Sequence, residues 1–389
     1  MEQRSSLQNN AFDLGSHLAA TLERVRKILD KERLDAVVLA APENVAWLTG
    51  GLGSRVDRTS GSDPVWLVIQ ADRLIGITSV VEYPRLKDRL SSIGVDEIVT
   101  VPWSPPSAYL EASVASLPPG WSRFGVDRGI GFSSTEAVLV DSCLLPFRMA
   151  LTGYGQAALK SLGEDAASAT EAAARAWRPG ETDREIQGRL CFELERRGVE
   201  PAVVIVGGDA RVKAFRHPVS IGAPVSDLLM VVVVGVRNGL NVALTRLVSA
   251  RPQPESFVEG MASLGRIQKE VVAAATPGKR YGHLVETLAA AYERSGHPGE
   301  WRNHFQGGPI AYQQREFEIA PGEQESRWYE LEIVEGHAIA YNPSLPGGPK
   351  VEDTYLLFES GAACVTDTGK WPRLLLPGGT LVADALTLG

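Results

Sequence analysis

Leu18, Leu22, Val25 and Leu29, within His17 to Lys31, recur at the spacing that puts apolar residues on one face of a helix. The residues before Leu14 are polar and read as a loose arm. After the helix the pattern changes to short, continuous apolar runs. Asp35 to Ala40 reads as a buried strand, and Val65 to Gln70 with Leu74 to Thr78 reads as a hairpin about Ala71-Asp72-Arg73. A helix at Tyr83 to Ile93 separates these from strands at Asp96 to Val101 and Phe124 to Asp127. Strands alternating with helices predict a small α/β domain over residues 1–150.

Pro146 and two glycines between Leu144 and Gly155 mark a boundary, and a second domain is expected over residues 151–389. It opens with an Ala-rich helix at Gln156 to Trp177. Thr182-Asp183-Arg184-Glu185 has the form of a capping box and starts a helix that reaches about Arg197. Strands follow at Val203 to Gly208, Leu228 to Val236 and Leu240 to Val248, the last two joined by a hairpin signal at Arg237-Asn238-Gly239. Helices resume at Glu255 to Ala275 and Leu284 to Ser295, then strands at His337 to Asn342 and Glu352 to Phe358. Helix pair then strands, twice over, predicts two pseudo-repeated halves around one curved antiparallel sheet, in an α/β (α+β) fold.

A chain of 389 residues is long enough for two or three domains of about 150 residues each. With 44% hydrophobic and 22% charged residues it is neither disordered, collagen-like nor coiled coil. A net charge of −8 with scattered arginines argues against a nucleic-acid partner. The longest apolar run, Leu228 to Val236, is far short of the roughly 20 residues that span a bilayer. The N-terminus lacks the basic-then-apolar layout of a secretory signal. Cys143, Cys191 and Cys364 lie far apart with no CxxC pair, so no disulfide framework is expected, and Cys191, inside a helical pattern, reads as core. The expectation is a cytoplasmic protein that meets a small-molecule substrate and neither nucleic acid nor membrane.

Five stretches carry a family signal in a fixed order: Glu43 to Gly51 (ENVAWLTGG), Ala214 to Pro218 (AFRHP), Ala243 to Arg246 (ALTR), Asn303 to Pro309 (NHFQGGP), and Glu335 to Thr354, which begins EGHAIAYNP and ends KVEDT. Together, over about residues 17 to 372, they resemble the pita-bread family of aminopeptidase P, prolidase and creatinase. The resemblance implies a creatinase-like N-terminal domain before a pita-bread domain. It also implies a homodimer in which the N-terminal domain of one subunit reaches the other's pocket, here through the loop Leu52 to Arg58 with Arg55 and Arg58.

The family's peptidases hold two metal ions with two Asp, one His and two Glu, a donor set suited to Mn, Co, Fe or Zn. By the resemblance those positions fall on Val232, Ala243, His304, Asn342 and Glu352. One His and one Glu do not make a dinuclear centre, since even one catalytic Zn ordinarily takes three protein ligands. No metal or other cofactor is therefore expected. Creatinase, which uses no metal, is the closer pattern: it too has Ala at the second Asp position, and its acid/base His corresponds to His217. The carboxylates with which it grips a guanidinium correspond to Thr245 and Asn342, so a cationic substrate is not expected. His217, His304, Asn342, Glu352 and Arg246 would instead suit an anionic or zwitterionic small molecule.

Each of these residues also has a plainer reading. His217 is either a turn residue or a proton-transfer group active near neutral pH. His304, before Gly307 and Gly308, either packs in a loop or donates to a substrate that the glycines let approach. Asn342, before Pro343, is a turn former or a ligand group, and Arg246 an ion-pair partner or a substrate contact. Strand alternation turns one of Glu352 and Asp353 inward, and the family frame selects Glu352. Tyr312 to Arg315 either line the site or lie in solvent. The reading that joins these residues is a metal-independent enzyme that hydrolyses a C–N bond of a small polar molecule. His217 would be its general acid/base, Glu352 would orient water, and His304 and Asn342 would hold the oxyanion. The alternatives are a lyase, isomerase or cyclase on the same residues, or an inactive binding or scaffold protein.

Overall fold

The computed structural model describes residues 13–129, 131–132, 137–376 and 381–388, so nearly all of the polar arm lies outside the described residues. The chain divides into two compact units, Met1–Ala157 and Ala158–Gly389.

The first unit runs α1 (Leu14–Glu32), β1 (Ala36–Leu39), α2 (Pro42–Thr49), β2 (Val65–Ile69), β3 (Leu74–Ser79), α3 (Tyr83–Ser92), β4 (Glu97–Val101), α4 (Ser107–Ala115), β5 (Phe124–Val126), β6 (Ala137–Leu139) and α5 (Asp141–Met149). Its strands form one mixed sheet in the order β4-β3-β2-β1-β5-β6. The helical stripe of α1 is buried at Leu18, Val25, Ile28 and Leu29. Asp13 caps its start and Arg33, in the left-handed region, its end. The sequence pattern did not show α2, because six of its eight residues are buried and no polar face marks the period. It is started by Asp127, whose carboxylate accepts from the amides of Ala40 and Ala41 and from Asn44 Nδ2, each at 3.0 Å. Pro146, part of the boundary signal over Leu144 to Gly155, lies inside α5, and the division between the units follows Ala157.

The second unit takes most of α6 (Gly153–Arg175), then α7 (Asp183–Glu195), β7 (Glu200–Gly208), α8 (Asp209–Ala214), β8 (Leu228–Arg237), β9 (Leu240–Ser249), α9 (Glu255–Ala274), α10 (Tyr281–Arg294), β10 (Gly307–Pro309), β11 (Ala338–Tyr341), β12 (Tyr355–Phe358), β13 (Gly361–Cys364), β14 (Arg373–Leu375), β15 (Leu381–Ala383) and β16 (Leu386–Thr387). The capping box forms as the sequence predicts, with Thr182 and Glu185 each closing on the other's backbone. Cys191, expected in the core, is half-buried on α7.

Helix pair then strands does occur twice. The strands form two four-stranded sheets, β16-β9-β8-β7 and β10-β11-β12-β13, and a two-stranded one, β14-β15. The two four-stranded sheets are sewn together along β9. The amide of Asn241 donates to Ala311 O at 2.7 Å, that of Thr245 to Glu352 O at 3.0 Å, and that of Ala243 to Thr354 Oγ1 at 2.8 Å. β8 and β9 are buried almost throughout, which is why they read as unbroken runs of Val and Leu.

Candidate active site

The site grows from the seam between the sheets. Thr245 on β9 points at Glu352, and its hydroxyl donates to Glu352 Oε2 at 2.8 Å. Val232 lies directly across from Thr245, and Val234 across from Ala243, so all four share that face. The positions that the family resemblance assigns to the missing aspartates, Val232 and Ala243, thus lie on the face that carries Glu352.

Side chains alternate along a strand, so Arg246 and Asp353 must face the other way. Arg246 Nη1 donates to Asp353 Oδ1 at 3.0 Å and Nη2 to Thr366 O at 2.7 Å, while Nε lies 3.6 Å from Glu171 Oε1. Arg246, expected to meet the substrate, is therefore enclosed in an ion-pair network behind the sheet. Its own neighbour explains the correction: once Thr245 faces Glu352, Arg246 cannot.

His217 is delivered by the chain between β7 and β8. After α8 the backbone turns at Phe215 to Gly222, and two side chains clamp that turn. Asp183 accepts from the amides of Ile221 and Gly222, the latter at 2.7 Å. Arg211 donates to Asp183 at 2.9 Å and to Val219 O. Between these anchors His217 stays exposed, and its ring packs edge-on against His304 with 5.3 Å between centroids. His304 is only 9% exposed, and neither ring nitrogen has a hydrogen-bond partner. The neighbouring Gln306 is fully engaged, accepting from Tyr292 Oη and donating to Trp301 O and His304 O. The amide of Asn342 donates to Gln306 O at 3.0 Å, and its buried side-chain Oδ1 has no partner. Gly307 has φ +83°, and a Cβ there would sit 2.1 Å from Ala340 O, so the loop can join β11 only with glycine.

Three cations surround this group. Lys350 is buried, Arg315 Nη2 lies 3.7 Å from Glu352 Oε1, and Arg216 pairs with Glu300 and donates to Ser344 Oγ at 3.1 Å. Burial lowers the pKa of Lys350 while Glu352 opposes the shift, and burial also lowers that of Arg315. His217 is shifted below the ordinary imidazole range by burial and then by Lys350, with Glu352 pulling the other way. Burial, with Lys350, His217 and the two arginines added, pushes His304 down to about 2. Both imidazoles are neutral at pH 7.

The other expected site residues lie elsewhere. Tyr312 is buried in the turn after β10, where its amide donates to Glu316 Oε1 at 2.8 Å. Arg55 and Arg58 belong to an exposed loop of the first unit, in which the Arg55 guanidinium donates to Arg58 O. Sequence reasoning missed Lys350 and Arg216, although both stand inside the motif stretches that carry His217 and Glu352.

The donor set does not fit a dinuclear metal centre. Val232 and Ala243 offer no donor atom, Asn342 offers a neutral amide, and Lys350 and Arg315 place positive charge beside Glu352. Among the described residues no group of three or more His, Cys, Asp or Glu is placed to hold a metal ion.

Residues 21–139 match the model of the Creatinase/Prolidase N-terminal domain. Over 361 residues the chain is 23% identical to an Xaa-Pro dipeptidase of Pyrococcus furiosus, covering 89% of this chain and 97% of that protein. A prolidase structure from Pyrococcus horikoshii superposes with a TM-score of 0.72 at 19% identity, covering 90% of this chain and 98% of that one. An Xaa-Pro dipeptidase structure from Bacillus anthracis gives 0.73 at 18% identity, covering 95% and 100%. Among the described residues no helix is long and apolar enough to cross a membrane. The chain shares the pita-bread fold of these prolidases and dipeptidases over nearly its whole length, and its residues 21–139 match the creatinase/prolidase N-terminal domain.

Proposed function

We propose that this protein hydrolyses a C–N bond of a small anionic or zwitterionic molecule by His-centred acid/base chemistry that uses no metal. The observation that carries the reading is the packing of His217 on His304, 5.3 Å between ring centroids, in a site that also holds the buried Glu352 and Lys350 and, 3.7 Å from Glu352, Arg315. That its relatives are Xaa-Pro dipeptidases supports hydrolysis at a C–N bond. Neutral His217 can take a proton from water as the oxygen attacks the carbonyl carbon. Glu352, fixed by Thr245, orients that water. His304 N–H and the Asn342 amide group stabilise the oxyanion. When the C–N bond breaks, its electron pair goes to nitrogen, and the His217 imidazolium returns the proton to the leaving amine. Lys350 and Arg315 favour a substrate that carries a carboxylate.

Amine release from Xaa-Pro dipeptides and N-acyl amino acids, assayed on chelator-treated protein alongside elemental analysis, tests the reading. Turnover with substoichiometric metal is expected. Two metal equivalents per chain, or activity only after metal is added, defeats it. A second reading, a binding protein without turnover, draws on Val232 and Ala243, which leave Glu352 as the remaining acid among the family's metal positions. Ligand binding with no product of any kind favours it, and products to which no water has been added point to a lyase, isomerase or cyclase. The homodimer implied by the family pattern belongs to the same proposal, with Arg55 and Arg58 reaching the partner's pocket. Light scattering that shows a monomer at micromolar concentration removes that part.

A further inference from the structure

His304 packs against His217 and also lines a pocket of about 480 Å³ that includes neither His217, Asn342 nor Glu352. Its buried lining is Val285 and Leu288 of α10 and Tyr341 of β11. Trp301 and Phe305 add aromatic surface nearer solvent, residues 319–321 add more, and the exposed Glu318 stands among the lining residues too. A volume of this size lies within the range of small-molecule sites. The polar side chains that line it are mostly engaged or at the rim. Gln306 has both ends of its amide occupied, Glu323 accepts from the amide of Ala320 at 2.9 Å, and the exposed Arg302 guanidinium stacks on Trp301 with 4.3 Å to the ring centroid. His304 is different: it is nine-tenths buried, lines the pocket, and has no hydrogen-bond partner on either ring nitrogen. A buried polar group left without a partner costs about 1–3 kcal/mol, and a ligand atom that meets it recovers that cost.

We infer that this side pocket holds an apolar, preferably aromatic, substituent of the substrate, and that His304 hydrogen-bonds the polar atom joining that substituent to the reacting group. The inference rests on the proposed site at His217 and deepens it: the substrate class becomes a carboxylate-bearing amide with an aromatic or branched aliphatic group on one side of the C–N bond. Flat, sequence-tolerant packing on Trp301 and Phe305 favours a ring over a polar chain. This adds an apolar group to the small polar molecule that the sequence suggests.

Binding of benzamide and of acetamide to the full-length protein, measured by titration calorimetry or ligand-observed NMR, tests the pocket without requiring turnover. Benzamide is expected to bind at least about tenfold more tightly than acetamide, since burying the ring removes its apolar surface from water. Ala320→Trp fills the pocket and should weaken benzamide at least about tenfold, the same apolar burial being denied. Phe305→Ala, at a side chain already 41% exposed and so tolerant of change, should weaken it about threefold to tenfold. Glu352→Gln should abolish turnover and leave benzamide affinity within about twofold, since Glu352 does not line the pocket. Equal affinities for benzamide and acetamide overturn the proposal. So does a benzamide affinity unchanged by Phe305→Ala, which decides the matter even where Ala320→Trp does not fold. Benzamide binding that responds to both variants in a protein with no hydrolytic activity upholds the pocket and rejects the proposed reaction.

Discussion

In the proposed mechanism proton transfer falls to His217, because His304 is held too far below neutrality to become charged and Glu352 is tied to Thr245. His217→Asn keeps the size and some hydrogen bonding of the side chain but cannot accept a proton near pH 7. It should lower turnover by about 10²- to 10⁴-fold with little change in melting temperature. The lowered pKa of His217 fixes the pH profile as well. The neutral base survives to a lower pH than a free imidazole would, so the acid limb of kcat/KM should fall below 6.5. A limb above that value, or full activity in His217→Asn, makes His217 a turn residue. Arg246 gives the opposite expectation. Arg246→Met leaves Asp353 in the interior with Thr366 and, at 3.4 Å, Arg373. Urea unfolding should show a loss of about 3–5 kcal/mol, the usual result of breaking a buried pair from one side. The sequence contained the information to separate these two roles. Ala243, Thr245 and the following Arg246 obey strand alternation, and a site placed on Ala243 excludes Arg246 from the same face. Lys350 was harder to find. In Gly-Gly-Pro-Lys it has the composition of a solvated turn, and only packing from distant elements makes it buried.

At the scale of elements, what was legible depended on whether one segment carried its own reason to fold. The β8–β9 hairpin did: runs of β-branched residues flank Asn238 and Gly239, both at positive φ as a two-residue turn of this type requires. The capping box at Thr182 did as well. The helix α2, and the strand β10 with its three residues, did not, since α2 is buried on most sides and β10 exists only by pairing with β11. The anchoring of the turn that presents His217 was likewise invisible, because Asp183 lies 34 positions earlier in the chain. Under the proposed mechanism Asp183 positions His217. Asp183→Asn loses the charge that holds Arg211 and one of the acceptors for the amides of Ile221 and Gly222. We expect kcat to fall about tenfold or more, as small misplacements of a catalytic group do, with KM changed little. Asp183→Glu should recover part of it. A merely structural role would lower stability and leave kcat per folded molecule intact, which is the result that would remove Asp183 from the mechanism.

At the scale of the whole chain, the two units carry opposite responses to acid. In the second unit His304 and His337 are buried and neutral, held down to about 2 and about 3, and His337 Nδ1 is hydrogen-bonded to Tyr281 Oη at 3.0 Å. A folded-state pKa below the unfolded 6.5 means that the unfolded state binds more protons in the interval between them. This stability is therefore complete above 6.5 and is lost as pH falls towards the folded values, at up to about 1.4 kcal/mol per pH unit for each group. In the first unit burial pushes Asp63 and Asp127 up to about 6. Their folded-state pKa lies above the unfolded value, so their contribution is complete below 3.8 and is lost as pH rises through 6; acidification strengthens the unit that holds them. One imidazole of that unit, His17, is lowered by burial and opposes them in part. Between pH 6.5 and pH 4.5 the second unit should weaken while the first holds or gains. Hydrogen exchange followed by mass spectrometry at pH 7 and pH 5, corrected for intrinsic exchange rates, reads this directly. Amides of Gly307, Gly308 and Ala338–Tyr341 should lose protection at the lower pH, while those of Ala36–Leu39 and Val65–Ile69 keep it. His337→Phe, which replaces a buried base with an apolar ring, should flatten the acid response of the second unit. Equal loss in both units, or first loss in the unit that carries Asp63 and Asp127, would show that the buried histidines do not govern how this molecule meets acid.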